Sequence, residues 1–255
     1  MATVIRLKGV NFNNPSLPVI APLVRTGLRA AWRPANGMDS LVDLSGNGKS
    51  LTVLGNPSFT QNGVKGDRSN GLLTDLIETT SYTYIAVGRI PDGIEASSQQ
   101  SMLVNNFKDD DADVRGGSVW LMTGNIRYTS SYYKSGEGVN NQANSILGTA
   151  QGIGNDWQFI VVQIDATTQT QRVYTPTIKG NMTPDERQGW DFAARTIYAD
   201  QPLALVAVPY DRWSSASQSE LGEVLVYDRA LSAEEIQRQY ELSKTFWKNH
   251  RGIDI

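Results

Sequence analysis

The chain has 255 residues, a formal net charge of −3 and no cysteine. Because cysteine is absent, disulfides and thiolate metal sites are excluded, and stability must come from a buried core or from assembly. The scattered Lys and Arg residues give no basic patch of the kind that nucleic-acid-binding proteins present, so no nucleic-acid partner is expected. One large β domain is the simplest interpretation of this length, since sandwiches often reach it undivided.

The first 26 residues are predicted to form an extended arm. Thr3–Lys8 alternates like a short strand, and residues 11–22 are rich in Asn and Pro. Two interpretations stay open: a tail that lies on its own domain, or a strand that docks onto a neighbouring subunit by strand addition. The side chains expected to make an assembly contact are Val4, Ile5, Leu7, Val10 and Phe12.

The N-terminal segment is not predicted to be a secretory leader. Arg6 and Lys8 interrupt its first apolar run, and Pro18 and Pro22 break the second. No stretch of the chain approaches the roughly 20 apolar residues that a membrane helix requires. We therefore expect neither export nor membrane insertion.

Short alternating segments joined by turns follow the arm. DLSGNG at 43–48 predicts a turn, since Asp and Ser side chains can bond turn amides while Gly and Asn tolerate positive φ. SYTYIAVGRI at 81–90 predicts a strand whose even-numbered residues share one face. Residues 180–201 are longer and less regular than a link between strands needs, and we interpret them as an insertion of unknown role.

The chain ends in a strand, a polar corner and a helix. Glu223–Tyr227 is an alternating β-branched and aromatic run. Ser232 precedes Glu235 by three residues, the spacing of a capping box, and Leu231 and Ile236 can form the accompanying hydrophobic staple. The apolar stripe of this helix, which we expect to close one end of the domain, comprises Leu231, Ile236, Tyr240 and Trp247.

The string GEVLVYDRALSAEEIQRQY, residues 222–240, resembles the closing signature of laminin-G-like domains, a branch of the concanavalin A-like lectins and glucanases. Other segments similar to this family follow in the family's order over residues 27–247. The resemblance implies an all-β fold, an antiparallel two-sheet jelly-roll sandwich with a short C-terminal helix. It leaves residues 1–26 as the arm and 248–255 as a C-terminal tail.

The sequence gives no support for catalysis. Glucanases of this fold carry E-x-D-x-x-E on one strand, and this chain has no such string. The nearest carboxylate pair is Glu220 and Glu223, which a spacing of three places on opposite faces of a regular strand. We expect Glu220 in a solvated turn and Glu223 beside an Arg or a backbone amide.

His250, the single histidine, lies in the polar tail, and no nucleophile elbow or phosphate loop occurs. No catalytic residue and no cofactor are predicted.

Calcium is the one metal that the sequence leaves open. Asp109, Asp111 and Asp113 alternate in a loop, and carboxylate oxygens suit this ion. The EF-hand pattern nonetheless fails, because Val114 stands where its glycine belongs and Trp120 where its bidentate acid belongs. We expect a solvated acidic loop and assign no metal site.

Aromatic residues near this loop suggest sugar recognition, which combines an apolar ring face with adjacent polar groups. Trp120 and Tyr128 are expected to alternate into a sheet core, whereas the adjacent Tyr132 and Tyr133 cannot both do so. The candidate carbohydrate-binding residues are Asn105, Asn106, Asp109, Tyr132 and Tyr133.

Two compatible classes of function remain, a glycan-binding module and a structural protein of a larger particle. An arm followed by a laminin-G-like sandwich resembles tail, fibre or decoration proteins of tailed bacteriophages, which assemble in the host cytoplasm; this step is analogy, since fold does not fix function. The leading hypothesis is a non-enzymatic, multi-copy virion protein whose arm contacts other virion subunits and whose lectin-like domain touches host-surface polysaccharide. The alternatives are a stand-alone bacterial carbohydrate-binding domain and, third, a divergent glycoside hydrolase.

Overall fold

The computed structural model of the protein describes residues 24–91, 101–109, 113–122, 125–147, 156–210 and 218–255. The arm residues Val4, Ile5, Leu7, Val10 and Phe12 therefore lie outside the described part of the chain. The strands are β1 (Leu28–Trp32), β2 (Leu51–Leu54), β3 (Ser58–Phe59), β4 (Val64–Gly66), β5 (Gly71–Thr74), β6 (Tyr82–Arg89), β7 (Ser101–Asn105), β8 (Lys108–Asp109), β9 (Val114–Arg115), β10 (Gly117–Met122), β11 (Asn125–Lys134), β12 (Val139–Leu147), β13 (Gln158–Asp165), β14 (Thr170–Tyr174), β15 (Asp185–Gln188), β16 (Ala204–Leu205) and β17 (Ser219–Tyr227). The helices are α1 (Pro176–Lys179), α2 (Ala233–Arg251) and a 3-10 turn at Met38–Ser40.

These strands form two large antiparallel sheets. The eight-stranded sheet has the order β15-β14-β13-β6-β17-β4-β3, and β1 pairs with the other end of β17. The seven-stranded sheet has the order β12-β11-β10-β7-β16-β5-β2, while β8 and β9 form a separate hairpin. The predicted all-β, two-sheet antiparallel architecture with a C-terminal helix is confirmed, and the jelly-roll connectivity stays a prediction.

The main core lies between the two sheets. On β6, Tyr82, Tyr84 and Ala86 face this core, whereas Ile85 and Val87 face the other side. The alternation predicted for this strand is thus confirmed. Because both faces of β6 are buried, the eight-stranded sheet needs a cover on its outer side.

Helix α2 supplies that cover. Ile236 and Trp247 pack with Ile85, Phe159 and Leu225 in a second core on the outer face of the eight-stranded sheet. The prediction that the helix closes one end of the sandwich is therefore wrong in its placement. The stripe is apolar as expected, but it covers a sheet face and makes a third layer.

The start of α2 is held by the predicted capping box. The Ser232 hydroxyl accepts a hydrogen bond from the Glu235 amide at 3.2 Å, and the Glu235 carboxylate accepts one from the Ser232 amide at 2.9 Å. Arg229 donates to both oxygens of Glu235. Leu231, the residue before the cap, is buried in the same core as Ile236, as a hydrophobic staple requires.

The predicted turn at 43–48 also has the expected structural role. The Asp43 carboxylate accepts hydrogen bonds from the amides of Ala31, Ser45 and Lys49. Asn47 donates its amide to the Leu28 carbonyl at 2.7 Å. Burial opposes ionisation of Asp43, but these bonds outweigh it and lower the pKa of this carboxyl. The turn therefore joins β1 to the following loop.

Residues 180–201 connect the two sheets at one edge. Within this segment β15 extends the eight-stranded sheet, and the Asp191 carbonyl accepts a hydrogen bond from the Tyr133 amide of the seven-stranded sheet. The Trp190 ring stacks on Tyr132 at 5.5 Å. The segment interpreted as an insertion of unknown role thus closes this side of the sandwich.

The same segment supplies a buried cation to the main core. Arg195 donates to the carbonyls of Thr79 and Thr80 and lies 3.9 Å from the Glu78 carboxylate. Burial raises the pKa of Glu78, although Arg195 opposes that shift. Since an unpaired buried charge is costly, the Arg195 side chain fixes the segment to the sandwich.

Among the described residues, no helix is both long and apolar enough to cross a membrane.

The capping box and the buried face of α2 should both contribute to the stability of the protein. Ser232→Ala should lower the free energy of unfolding by about 0.5–2 kcal/mol through loss of the cap, and Ile236→Ala by about 2–5 kcal/mol through loss of buried volume. Arg238→Ala, on the exposed face of the same helix, is the control and should stay within about 0.5 kcal/mol of the parent. Urea unfolding measures all three. A neutral Ile236→Ala variant that lost binding to a partner would make the helix an interface instead.

Candidate functional site

The Glu220 and Glu223 carboxylates lie on the same face of β17, and the prediction of opposite faces is wrong. The register between β17 and β6 shifts between Leu221 and Glu223, so a β-bulge adds one residue at Gly222. Glu220 is also not in a solvated turn. Its side chain is 1% exposed and accepts a hydrogen bond from Arg89 at 2.9 Å.

Glu223 has the predicted arginine partner and two further donors. Arg33 donates to its carboxylate at 3.2 Å, Ser243 at 2.9 Å and the Trp247 indole at 2.8 Å. Arg251 lies nearby, where burial lowers its pKa to about 10 although the two carboxylates oppose that shift. Both carboxylates are enclosed and bonded to structural donors, and those of Glu223 include two residues of α2, which assigns the pair to the fold.

Two of the predicted sugar-binding residues are buried structural amides. The Asn105 side chain donates to the Ala207 carbonyl and accepts from the Phe107 amide. The Asn106 side chain accepts from the Gly117 amide at 2.8 Å. Both residues are almost fully enclosed, so their amides organise the entrance to the β8-β9 hairpin.

The other three predicted residues do not converge. Asp109 is half-buried in β8, opposite Val114. Tyr132 turns inward and packs against the main core, whereas Tyr133 lies on the outer face of the seven-stranded sheet. The prediction that Tyr132 and Tyr133 face different ways is consistent with these positions, but the five candidates do not form one site.

Of the acidic loop, Asp111 lies outside the described residues. Asp113 accepts a hydrogen bond from the Asn140 amide at 3.0 Å, contacts Arg115 at 3.6 Å and bonds the Tyr198 hydroxyl. Within the described ranges no group of three acidic or histidine side chains could hold a metal ion. Asp113 thus ties the hairpin to β12 and to the segment at 180–201.

A different set of side chains forms a polar cluster on the outer face of the seven-stranded sheet. The Asn144 side-chain oxygen accepts hydrogen bonds from Arg127 at 2.9 Å, from Thr129 at 2.8 Å and from Gln142 at 3.2 Å. We call these four residues the Asn144 cluster. Arg127, Gln142 and Asn144 are each half-buried, so the cluster reaches the surface.

Buried polar atoms lie beside this cluster. The Trp120 indole nitrogen and the hydroxyls of Ser118 and Ser131 are enclosed, and they have no hydrogen-bond partner among the described residues. Arg127 lies over the Trp120 ring at 5.8 Å, and burial lowers the pKa of its guanidinium. Unsatisfied buried donors of this kind are costly, and each calls for an explanation such as a ligand or ordered water.

Strand register explains why these residues meet. Ser118 of β10 is opposite Thr129 of β11, which is opposite Asn144 of β12. Trp120 is likewise opposite Arg127. Directly opposed residues share one face of a sheet, so the polar row runs across three strands. Trp120 is buried as predicted, but in a small outer cluster with Met102, Phe107 and Val208 and not in the main core that encloses Tyr128.

Sequence reasoning missed the Asn144 cluster, although a signal for it exists. Along β12 the amides Asn140, Gln142 and Asn144 recur every second residue, which places all three on one face of the strand. A solvated edge strand could carry the same pattern, because nothing in the sequence shows which strand lies beside β12. The pairing with β11 brings Arg127 and Thr129 to these amides.

Comparisons with known proteins identify the fold. No protein-family model matches this sequence, and no curated protein matches it. Similar solved structures include the receptor-binding domain of a botulinum neurotoxin C/D mosaic serotype, with a TM-score of 0.62 at 13% identity over 86% of this chain and 52% of its own. The receptor-binding domain of botulinum neurotoxin D has a TM-score of 0.62 at 12% identity over 88% of this chain and 54% of its own.

A third similar structure is the botulinum neurotoxin serotype D ligand-binding domain in complex with N-acetylneuraminic acid. Its TM-score is 0.61 at 13% identity, over 86% of this chain and 51% of its own. At these identities the similarity shows a shared β-sandwich fold. The chain spans about half the length of each of these domains.

Because Glu223 is enclosed and bonded to structural donors, we expect it to contribute to stability and not to catalysis. The parent protein should release no new reducing ends from β-glucans or host-surface polysaccharides. Glu223→Gln should instead lower the free energy of unfolding by about 3–5 kcal/mol, because it breaks a buried ion pair. Glu241→Gln, an exposed carboxylate of α2, is the matched control and should be nearly neutral. If the parent hydrolysed a polysaccharide and Glu223→Gln abolished that activity, the assignment of Glu223 to a structural role would be wrong.

Proposed function

We propose that this chain is a non-enzymatic, lectin-like module that binds glycans through the Asn144 cluster. The observation that carries the proposal is the convergence of Arg127, Thr129 and Gln142 on one side-chain oxygen of Asn144. The three bonds fix the rotamers of these side chains before a ligand arrives. Pre-ordering of this kind lowers the entropy lost on binding.

The chemistry of the cluster suits a polyhydroxylated ligand. A sugar hydroxyl both donates and accepts, and the cluster offers a guanidinium and the amide nitrogen of Asn144 as donors and the side-chain oxygen of Gln142 as acceptor. Trp120 adds an indole beside these groups. Hydrogen bonds to a charged group are about twice as strong as those between neutral partners, so Arg127 is expected to anchor the sugar.

The shared fold supports a binding role of this class. A similar sandwich belongs to a domain solved with N-acetylneuraminic acid, and another is described in connection with two ganglioside molecules. These ligands belong to those proteins, whose domains are about twice as long as this chain. What supports glycan binding here is the Asn144 cluster itself.

We also propose that the module is a component of an assembled particle, a tail, fibre or decoration protein of a tailed bacteriophage. The arm at residues 1–26 would contact neighbouring virion subunits, and the virion would be assembled in the host cytoplasm. The support is the resemblance of an Asn/Pro-rich arm followed by a laminin-G-like sandwich. The glycan-binding proposal does not depend on this assignment.

Glycan binding can be tested with a pair of variants at Asn144. Asn144→Ala removes the acceptor that orders the cluster, whereas Asn144→Asp keeps the acceptor and removes the amide donor. Both should raise the dissociation constant for a glycan found by array screening by about tenfold or more, which corresponds to a loss of about 1.4 kcal/mol of binding free energy. Isothermal titration calorimetry measures the constants.

The matched control is Asn181→Ala, an exposed amide beside α1. It should leave glycan affinity unchanged. Folded Asn144 variants with parental affinity would place the glycan elsewhere. A parent that binds no glycan on an array of bacterial surface polysaccharides and sialylated oligosaccharides contradicts the proposal.

The assembly role predicts a separation between folding and incorporation. Val24 is buried in the second core, so the deletion should remove residues 1–23 and keep Val24. The truncated protein should melt at the parental temperature, because the described cores are intact, but it should fail to enter the oligomer or particle. Calorimetry and sedimentation measure the two properties. Unchanged incorporation would refute the assembly role.

A further inference from the structure

A cleft of about 670 Å³ opens beside α2 on the outer side of the eight-stranded sheet. Its floor is apolar and includes Met182, Tyr240 and Ile255. Its rim carries the carboxylates of Glu241 and Asp254 and the ammonium of Lys244, which lies 5.7 Å from the centre of the Tyr240 ring. Neither the buried ion pairs nor the Asn144 cluster extends into it. The cleft therefore has an apolar floor and a charged rim, with two carboxylates and one ammonium, and neither has an assigned role.

The floor of the cleft is fixed. The Tyr240 hydroxyl donates to the Ile255 carbonyl at 2.9 Å, and the Tyr240 ring packs against Phe159 at 5.0 Å. Ile255 is buried in the second core, and Met182 packs against that core. A ligand that reached the floor would thus contact a surface that is already held in place.

The rim carboxylates have only weak partners. Asp254 lies 3.3 Å from the Lys248 ammonium, but the two side chains are 73% and 65% exposed. Glu241 is exposed and accepts a hydrogen bond from the neutral Gln237 amide. Exposed ion pairs contribute little energy, so both carboxylates can accept a further cation. A basic and apolar segment fits this combination of rim and floor.

We propose that the cleft receives the segment Thr3–Lys8 from a second copy of this chain. In an extended segment Ile5 and Leu7 share one side, and Arg6 and Lys8 share the other. The apolar pair matches the floor, and the two cations can pair with the two rim carboxylates, Glu241 and Asp254. The proposal rests on the assembly role of the arm given above, and it names the surface that accepts the arm.

The connection to the domain favours a neighbouring copy over the same chain. Val24, the first described residue, packs in the second core. Sixteen positions separate it from Lys8, which an extended chain covers in roughly 55 Å. Pro15, Pro18 and Pro22 lie in this connection, and Pro-rich linkers behave as semi-rigid extended spacers. We therefore expect the segment to reach a neighbouring copy and not to fold back onto its own domain.

Charge reversal on each side of the contact tests the proposal in the full chain. One variant carries Glu241→Lys and Asp254→Lys, and the other carries Arg6→Glu and Lys8→Glu. Each alone should associate with itself at least about tenfold more weakly than the parent, because like charges then face each other. An equimolar mixture should recover the parental mass in analytical ultracentrifugation, since every contact between the two variants is again attractive.

The control variant carries Asp39→Lys and Asp200→Lys, two exposed carboxylates away from the cleft. It has the same charge change as the cleft variant and should associate like the parent. Circular dichroism should give parental melting for all variants. A photo-crosslinker placed at Ile5 should react with peptides that contain Met182 or Tyr240. When isotopically heavy and light protein are mixed, these crosslinks should include pairs of one heavy and one light peptide.

The outcomes separate this proposal from the assembly role itself. Loss of association on deletion of residues 1–23, without any effect of the charge reversals, would leave the assembly role intact and overturn the cleft as its acceptor. Crosslinks confined to heavy–heavy and light–light pairs would overturn the exchange between copies. A parent that is monomeric at every concentration would overturn the contact between copies, whereas the assembly role with other virion subunits would still depend on the incorporation test.

Discussion

The central strands of the eight-stranded sheet are buried on both faces, and most of the architecture depends on covering the outer one. All nine residues of β17 are buried, because this strand is flanked by the seven-stranded sheet on one side and by α2 on the other. A bare outer face would expose the side chains that Ile85, Phe159 and Leu225 contribute to the second core. The capping box and the staple at its start, and the left-handed Gly252 at its end, all act to place α2 on that surface.

The same burial decides what the carboxylates of β17 can do. Gly222 adds one residue to the strand, and a side chain there would meet the Trp247 ring at 2.4 Å, so only glycine fits this bulge. The extra residue rotates Glu220 onto the face that already carries Glu223. Two buried carboxylates on one face would repel each other, and Arg33, Arg89 and Arg251 lie where they can offset that repulsion. The nearest carboxylate pair in the sequence thus has a structural role.

Interactions between near neighbours in sequence could be predicted, and interactions across the fold could not. The faces of β6, the turn at Asp43 and the capping box at Ser232 depend on spacings of two or three residues, which the sequence displays directly. The environment of Glu220 depends on a bulge, the placement of α2 on a sheet order, and the Arg195 contact on a segment that joins both sheets. In the Asn144 cluster, the amides of β12 recur every second residue, which the sequence shows. Whether they form a cluster depends on the pairing with β11, which the sequence does not show. These features require tertiary contacts that no local pattern encodes.

The layer order also separates the two proposed contacts. Helix α2 and the cleft beside it lie outside the eight-stranded sheet, whereas the Asn144 cluster lies outside the seven-stranded sheet, so the main core stands between them. A copy that accepted a neighbour's arm on the helix side would keep its polar face open to ligand. Binding at one face would then leave the other unchanged, because the intervening core is packed. Glycan affinity and assembly are therefore expected to respond to different substitutions, and multiple copies held through their helix sides would present many glycan sites together.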